Sequence, residues 1–127
     1  MLAALTILTE VPAAGLAGYW TNKAHSVVVL IAPCEQQKWC GTVASASDKA
    51  KADAALGGTA SLVGTEIMHG FRPVSGSKWR GTLFVPDLNR RSKAELVQVS
   101  ADRIRVRGCA VGRLLCKSQD WMRTEAP

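Results

Sequence analysis

The sequence predicts one antiparallel all-β domain, a sandwich or barrel of eight short strands. Three observations carry this. Val, Ile and Leu fall in short runs or alternate with polar residues, the period-2 pattern of half-buried strands. Clusters of Gly, Pro, Asn, Asp and Ser separate those runs, as hairpin-linked strands require. The 127 residues, 47% apolar and 20% charged, give one packed core and exclude a disordered chain.

Tyr19-Trp20-Thr21 opens the first strand. Residues 25–32, rich in Val, Leu and Ile, form the second, and 39–44 the third after a turn at Glu35-Gln36-Gln37. Residues 47–58 break the pattern. Ser47 is a suitable helix N-cap, the residues from Asp48 to Ala55 are small or charged helix formers, and Gly57-Gly58 stops them. This segment reads as a short helix or a surface loop. Residues 62–71, containing Val63, Ile67 and Met68, form the fourth strand, followed by a turn around Pro73 and Ser75-Gly76-Ser77. The fifth, 78–85, ends at Pro86-Asp87-Leu88-Asn89, where Asn89 suits the left-handed conformation. Residues 93–99 and 103–109 alternate on either side of Ser100-Ala101-Asp102, and 114–123 closes the domain.

Residues 1–17 differ from the rest. An apolar run over 2–8, Pro12, then Ala13, Ala14, Gly15 and Ala17 match a secretory leader cut near Ala17. A structured N-terminal helix is the alternative, because Glu10 interrupts the segment and no base follows Met1. With a leader, the protein is a single domain over 18–124 with a tail at 125–127, periplasmic or secreted. Sixteen Lys and Arg against ten Asp and Glu give a net charge of +6, and losing Glu10 raises it by one. That balance favours polyanions, and in an exported chain an anionic envelope component rather than specific nucleic acid. No apolar stretch reaches the ~20 residues of a membrane-spanning helix.

Four cysteines, Cys34, Cys40, Cys109 and Cys116, point to disulfides in such a chain. Three connectivities are possible. Pairing Cys34 with Cys40 and Cys109 with Cys116 has a physical rationale, since each pair brackets a turn, the second at Ala110-Val111-Gly112-Arg113, where Cβ atoms approach to ~3.5–4.5 Å. A four-thiolate zinc site is the rival, with intervals longer than the two to four residues usual in zinc ribbons.

Gly18-Tyr19-Trp20, the stretch from Val63 to Pro73 and the stretch from Arg107 to Arg123, with its Cys-Lys-Ser-Gln-Asp-Trp-Met-Arg ending, belong together as a set. With Ile31-Ala32-Pro33-Cys34, Cys40-Gly41, Trp79-Arg80-Gly81-Thr82 and Pro86-Asp87, the set resembles the small exported bacterial proteins of the domain of unknown function 2147 family. The resemblance runs from Gly18 to about Thr124. It implies a lipocalin-like, eight-stranded up-and-down barrel, an envelope or periplasmic location and no established activity. It also implies that Trp20 and Arg123 stack at the closed end of the barrel, a cation–π contact of about 0.5–2 kcal/mol. Arg90-Arg91-Ser92 departs from the family's Gly-Lys-Thr-Tyr, and Asn22-Lys23-Ala24 from its Asp-Gly turn. The first departure removes an aromatic residue.

In such a barrel Val27, Val29, Ile31, Val43, Ile67, Leu83, Val85, Leu96, Ile104 and Val106 face inward. An eight-stranded barrel either fills with side chains or holds one small ligand. The ligand reading assigns Val27, Val29, Ile31, Ile67, Leu83, Ile104 and Val106 to a site for a small apolar or amphipathic molecule of fatty-acid type. Arg103, Arg105 and Arg107 would then meet an acidic head group at the rim. The alternative is a filled barrel whose basic outer face docks on anionic envelope polymers or a protein. Catalysis has little to stand on. Strand alternation puts Glu66 and His69 on opposite faces, no nucleophile is placed beside His25 or His69, and no cofactor motif occurs. Glu66, Asp87 and Asp120 read as polar anchors.

Overall fold

The computed structural model describes residues 15–110 and 115–127. Eight strands follow in order: β1 Gly18–Asn22, β2 Val27–Pro33, β3 Trp39–Ala46, β4 Glu66–Ser75, β5 Lys78–Val85, β6 Arg90–Ser100, β7 Arg103–Ala110 and β8 Leu115–Thr124. One helix, α1 Asp48–Leu56, stands between β3 and β4. Each strand pairs antiparallel with the next, and β1 pairs with β8, so the sheet closes into an up-and-down barrel rather than a sandwich.

Alternation sets the inside. In β7, Ile104 and Val106 are buried while Arg103, Arg105 and Arg107 between them are exposed. Trp20, Val29, Ile31, Val43, Phe71 and Leu96 complete most of the core. The turns after β2, β4 and β6 gather at one end of the barrel. The β1–β2 turn, α1 and the β5–β6 turn gather at the other.

Three strands start two or more residues away from the sequence expectation. β2 starts at Val27, because His25 sits in the turn at φ 55°. β6 starts at Arg90, directly after Asn89 at φ 50°, so the turn is as tight as its residues allow. β4 lies four residues later than 62–71. Residues 62–65 form a loop tied to β3 by Gly64 N–H donating to Val43 O and Val43 N–H donating to Thr65 O, both across a left-handed Gly64. Pro73 is tolerated within β4 because it sits beside a register shift. The expected turn over 110–113 lies outside the described residues, apart from the backbone of Ala110.

Of the two readings of 47–58, the helix holds. Ser47 Oγ accepts from Ala50 N–H at 3.1 Å and caps α1, and Gly57 ends it. Its burial rests on Ala54, which is fully enclosed. Thr59 Oγ1 donates to Pro86 O at 2.8 Å, and Gly57 packs directly on the Asp87 backbone. Those two contacts fasten α1 to the β5–β6 turn.

Candidate functional site

The inward aliphatics leave part of the barrel open, as a cavity of about 790 Å³. Val27, Val29, Ile31, Ile67, Leu83, Ile104 and Val106 all line it, with Val43 and Val85. Leu96 is fully buried without reaching it. The volume falls within the roughly 300–1,000 Å³ typical of small-molecule pockets.

Trp20 forms the floor. It is completely buried, and its Nε1–H donates to Leu16 O at 2.9 Å. The Arg123 guanidinium lies over its ring, 4.3 Å from the centroid. The same guanidinium donates to Ala17 O at 2.7 Å, Gly15 O at 2.9 Å and Ala101 O at 3.1 Å. Its planar fork therefore ties residues 15–17 and the β6–β7 turn to β8 under one indole. Gln98 Nε2 adds a second bond to Gly15 O at 3.1 Å. Residues 15–17 are thus part of the floor, and the Leu16 side chain is fully buried. A chain beginning at Gly18 would lack Leu16 and the three carbonyls that Arg123, Gln98 and Trp20 bond in this stretch.

The opposite end is the mouth. There the lining includes Lys49, Ala50 and Asp53 from α1, Asp87 and Leu88 from the β5–β6 turn, and Lys117 from β8. Lys49 pairs with Asp53 at 3.0 Å. Lys117 has no ion-pair partner among the described residues. Lysines, not arginines, are the cations that line the cavity. Arg103, Arg105 and Arg107 project from the outer face of β7, and Arg103 stands at the closed end. Arg105 donates to both oxygens of Asp120 across the β7–β8 pair, at 2.8 and 3.3 Å. This hydrogen bond holds the Asp120 carboxyl below the ordinary carboxylate range and raises the Arg105 guanidinium.

Both disulfides follow the sequence-near pairing, Cys34–Cys40 beside the β2–β3 turn and Cys109–Cys116 across β7 and β8. The two bridges sit near opposite ends of the barrel, which excludes a single four-thiolate site. Beside Cys40 a second polar group assembles on the outside. His69 Nδ1 donates to Glu66 Oε1 at 2.9 Å and lies 3.7 Å from Cys40 Sγ. Simple alternation would separate Glu66 from His69. The β3–β4 register slips between Gly41 and Thr42, so Ile67 and Met68 are both buried and Glu66 and His69 reach the same face.

A family model described as "Uncharacterized protein conserved in bacteria (DUF2147)" matches residues 18–123. The chain belongs to the DUF2147 family. No curated protein matches it. Among solved structures, the DUF2147 chain is similar to protein HP1028 from Helicobacter pylori, described as belonging to the lipocalin family. The two share 14% identity over 87% of this chain and 83% of that one, with a TM-score of 0.65. At that identity the likeness is one of fold, and it agrees with the closed eight-stranded barrel.

Proposed function

We propose that this DUF2147 protein is an exported, lipocalin-like carrier that takes a small apolar or amphipathic molecule, of the class of a fatty acyl chain, into its barrel. The observation that carries this reading is the cavity of about 790 Å³ with aliphatic walls, a sealed indole floor and a mouth bearing Lys117. An acyl chain would lie along the walls, and its carboxylate would meet Lys117. On this reading the leader is removed ahead of Gly15, which spares Leu16 and the carbonyls bonded to Arg123. Two disulfides support a life in an oxidising compartment.

The test is native mass spectrometry of the chain purified from the periplasm, followed by titration with a fluorescent fatty acid. We expect a chain starting at Gly15, a mass excess lost on denaturation, and saturable uptake. Val106→Trp should weaken uptake by narrowing the cavity. Lys117→Glu should weaken the acid at least about tenfold and leave the matching fatty alcohol unchanged, since one lost charge-assisted bond is worth about 1.5–3 kcal/mol. Bare protein with no saturable uptake would end the carrier reading.

A second reading rests on the outer face of β5 to β7. Lys78, Arg80, Arg91, Lys93, Arg103, Arg105 and Arg107 are exposed there, and Glu95 lies opposite both Arg80 and Arg107. This face suits an anionic envelope polymer. Retention on such a polymer should fall with salt and be lost in Arg105→Glu; salt-insensitive retention counts against it.

A further inference from the structure

We propose that the Cys34–Cys40 disulfide is the closed form of a metal site, and that its reduction lets Cys34, Cys40, His69 and Glu66 hold one divalent ion of zinc's class. The site is on the outside of β3 and β4, apart from the cavity, and does not depend on the carrier reading.

The ligand atoms are already gathered. Cys40 Sγ, His69 and Glu66 offer donors that all lie within 4.8 Å of one another. Zn–S and Zn–N bonds of about 2.3 and 2.0 Å at a tetrahedral angle place S and N about 3.5 Å apart. Cys40 Sγ and His69 Nδ1 are 3.7 Å apart. Cys34 is already bonded to Cys40 and is exposed, so the freed thiolate needs to rotate only locally to become the fourth ligand. A set of two thiolates, an imidazole and a carboxylate favours a borderline-soft ion over magnesium or calcium.

Two surrounding contacts fit the same purpose. Glu35 Oε2 lies 3.9 Å from His69 Nε2, while the other ring nitrogen, Nδ1, faces Cys40 Sγ. Closing that gap lets the ring proton move from Nδ1, where it faces Glu66, to Nε2, where Glu35 accepts it, and frees Nδ1 to ligate, the carboxylate–histidine–metal arrangement. The Gly70 N–H points at Cys40 Sγ at 3.5 Å, a donor suited to a thiolate. The interval between Cys34 and Cys40 is long for a zinc ribbon. Here the remaining ligands come from the adjacent strand and not from a second cysteine pair.

The chemistry balances with a dithiol reductant. The reductant gives two electrons and two protons to the S–S bond, becoming a disulfide, and Cys34 and Cys40 become thiols. Binding the ion then releases both thiol protons to solvent. Exchange with a second disulfide reverses the sequence: that disulfide takes the two electrons and becomes a dithiol, the Cys34–Cys40 bond re-forms and the ion is expelled.

The experiment uses the full chain, reduced anaerobically with a phosphine, desalted and titrated with Co²⁺. We expect a sulfur-to-cobalt charge-transfer band and tetrahedral visible absorption saturating at one equivalent, both absent from the oxidised protein. His69→Ala and Glu66→Gln alter exposed residues, so their fold should persist by circular dichroism. Each should weaken Co²⁺ binding at least about tenfold with the thiol count unchanged. Cys34→Ser/Cys40→Ser should lose the band entirely. No band in the reduced chain, a band that His69→Ala leaves unaltered, or a band that survives Cys34→Ser/Cys40→Ser would each overturn the proposal.

Discussion

Trp20→Ala should lower the unfolding free energy by about 3–5 kcal/mol, the range for removing a buried aromatic residue. The loss goes beyond the ring's own packing. Arg123 would keep its three carbonyl partners but lose the indole beneath it, and Leu16 would border an empty space where the ring had been. The missing floor would also open the cavity toward the closed end. Urea unfolding reads this directly, because Trp39, Trp79 and Trp121 remain as fluorophores. Trp20→Phe keeps an aromatic floor and loses the Nε1–Leu16 bond, for an expected cost nearer 1 kcal/mol from that bond. Equal losses in the two variants would show that the ring itself does not hold the closed end together.

Gly57→Ala is the second large effect. Gly57 has φ −82°, so backbone freedom is not why the residue is small. An added Cβ would land on the carbonyl of Asp87, and main chain there has no side chain to swing aside. We expect a loss of about 1–3 kcal/mol, the usual cost of overpacking. We also expect α1 to part from the β5–β6 turn, breaking the Thr59–Pro86 bond. Because both elements border the mouth, on the proposed carrier reading a fluorescent fatty acid should enter and leave faster. Leu56→Ala, at a residue 88% exposed, is the control and should stay within about 0.5 kcal/mol of the parent. A Gly57→Ala protein with parental stability and parental exchange would show that α1 is not clamped there.

The cavity walls were legible in the sequence because β2 and β7 alternate cleanly, so period 2 alone sorts Val29 and Ile104 inward. The helix was legible from Ser47 and Gly57, although its position over the mouth was not. That placement depends on Gly57 meeting Asp87, a contact between segments thirty residues apart in sequence. Lys117 was missed for the same reason. It becomes a mouth residue only once β8 has closed against β1. Alternation gives the arginines of β7 their outward face, but outward positions on a barrel wall are not positions at its rim. Strand β4 defeated alternation altogether. Its bulge adds a residue opposite Gly41 and Thr42, and one extra residue reverses the face of everything before it. The Glu66–His69 pair exists because of that slip.

The ring of strand pairs has an uneven cost in chain length. All pairings but one join sequence neighbours, so each can form by closing a short turn or, between β3 and β4, the longer stretch that carries α1. The pairing of β1 with β8 brings together residues roughly a hundred positions apart, such as Trp20 and Arg123. Loop-closure entropy grows only with the logarithm of length, about 0.6 kcal/mol per doubling, but it must be met before any contact at that seam forms. This topology favours zipping of hairpins into a curled sheet, with the seam last. Until then β1 and β8 are open edges, each able to pair with another copy. The stacked indole and guanidinium lie on that seam, so the groups that seal the floor are also the ones that end the chain's exposure to edge-to-edge association.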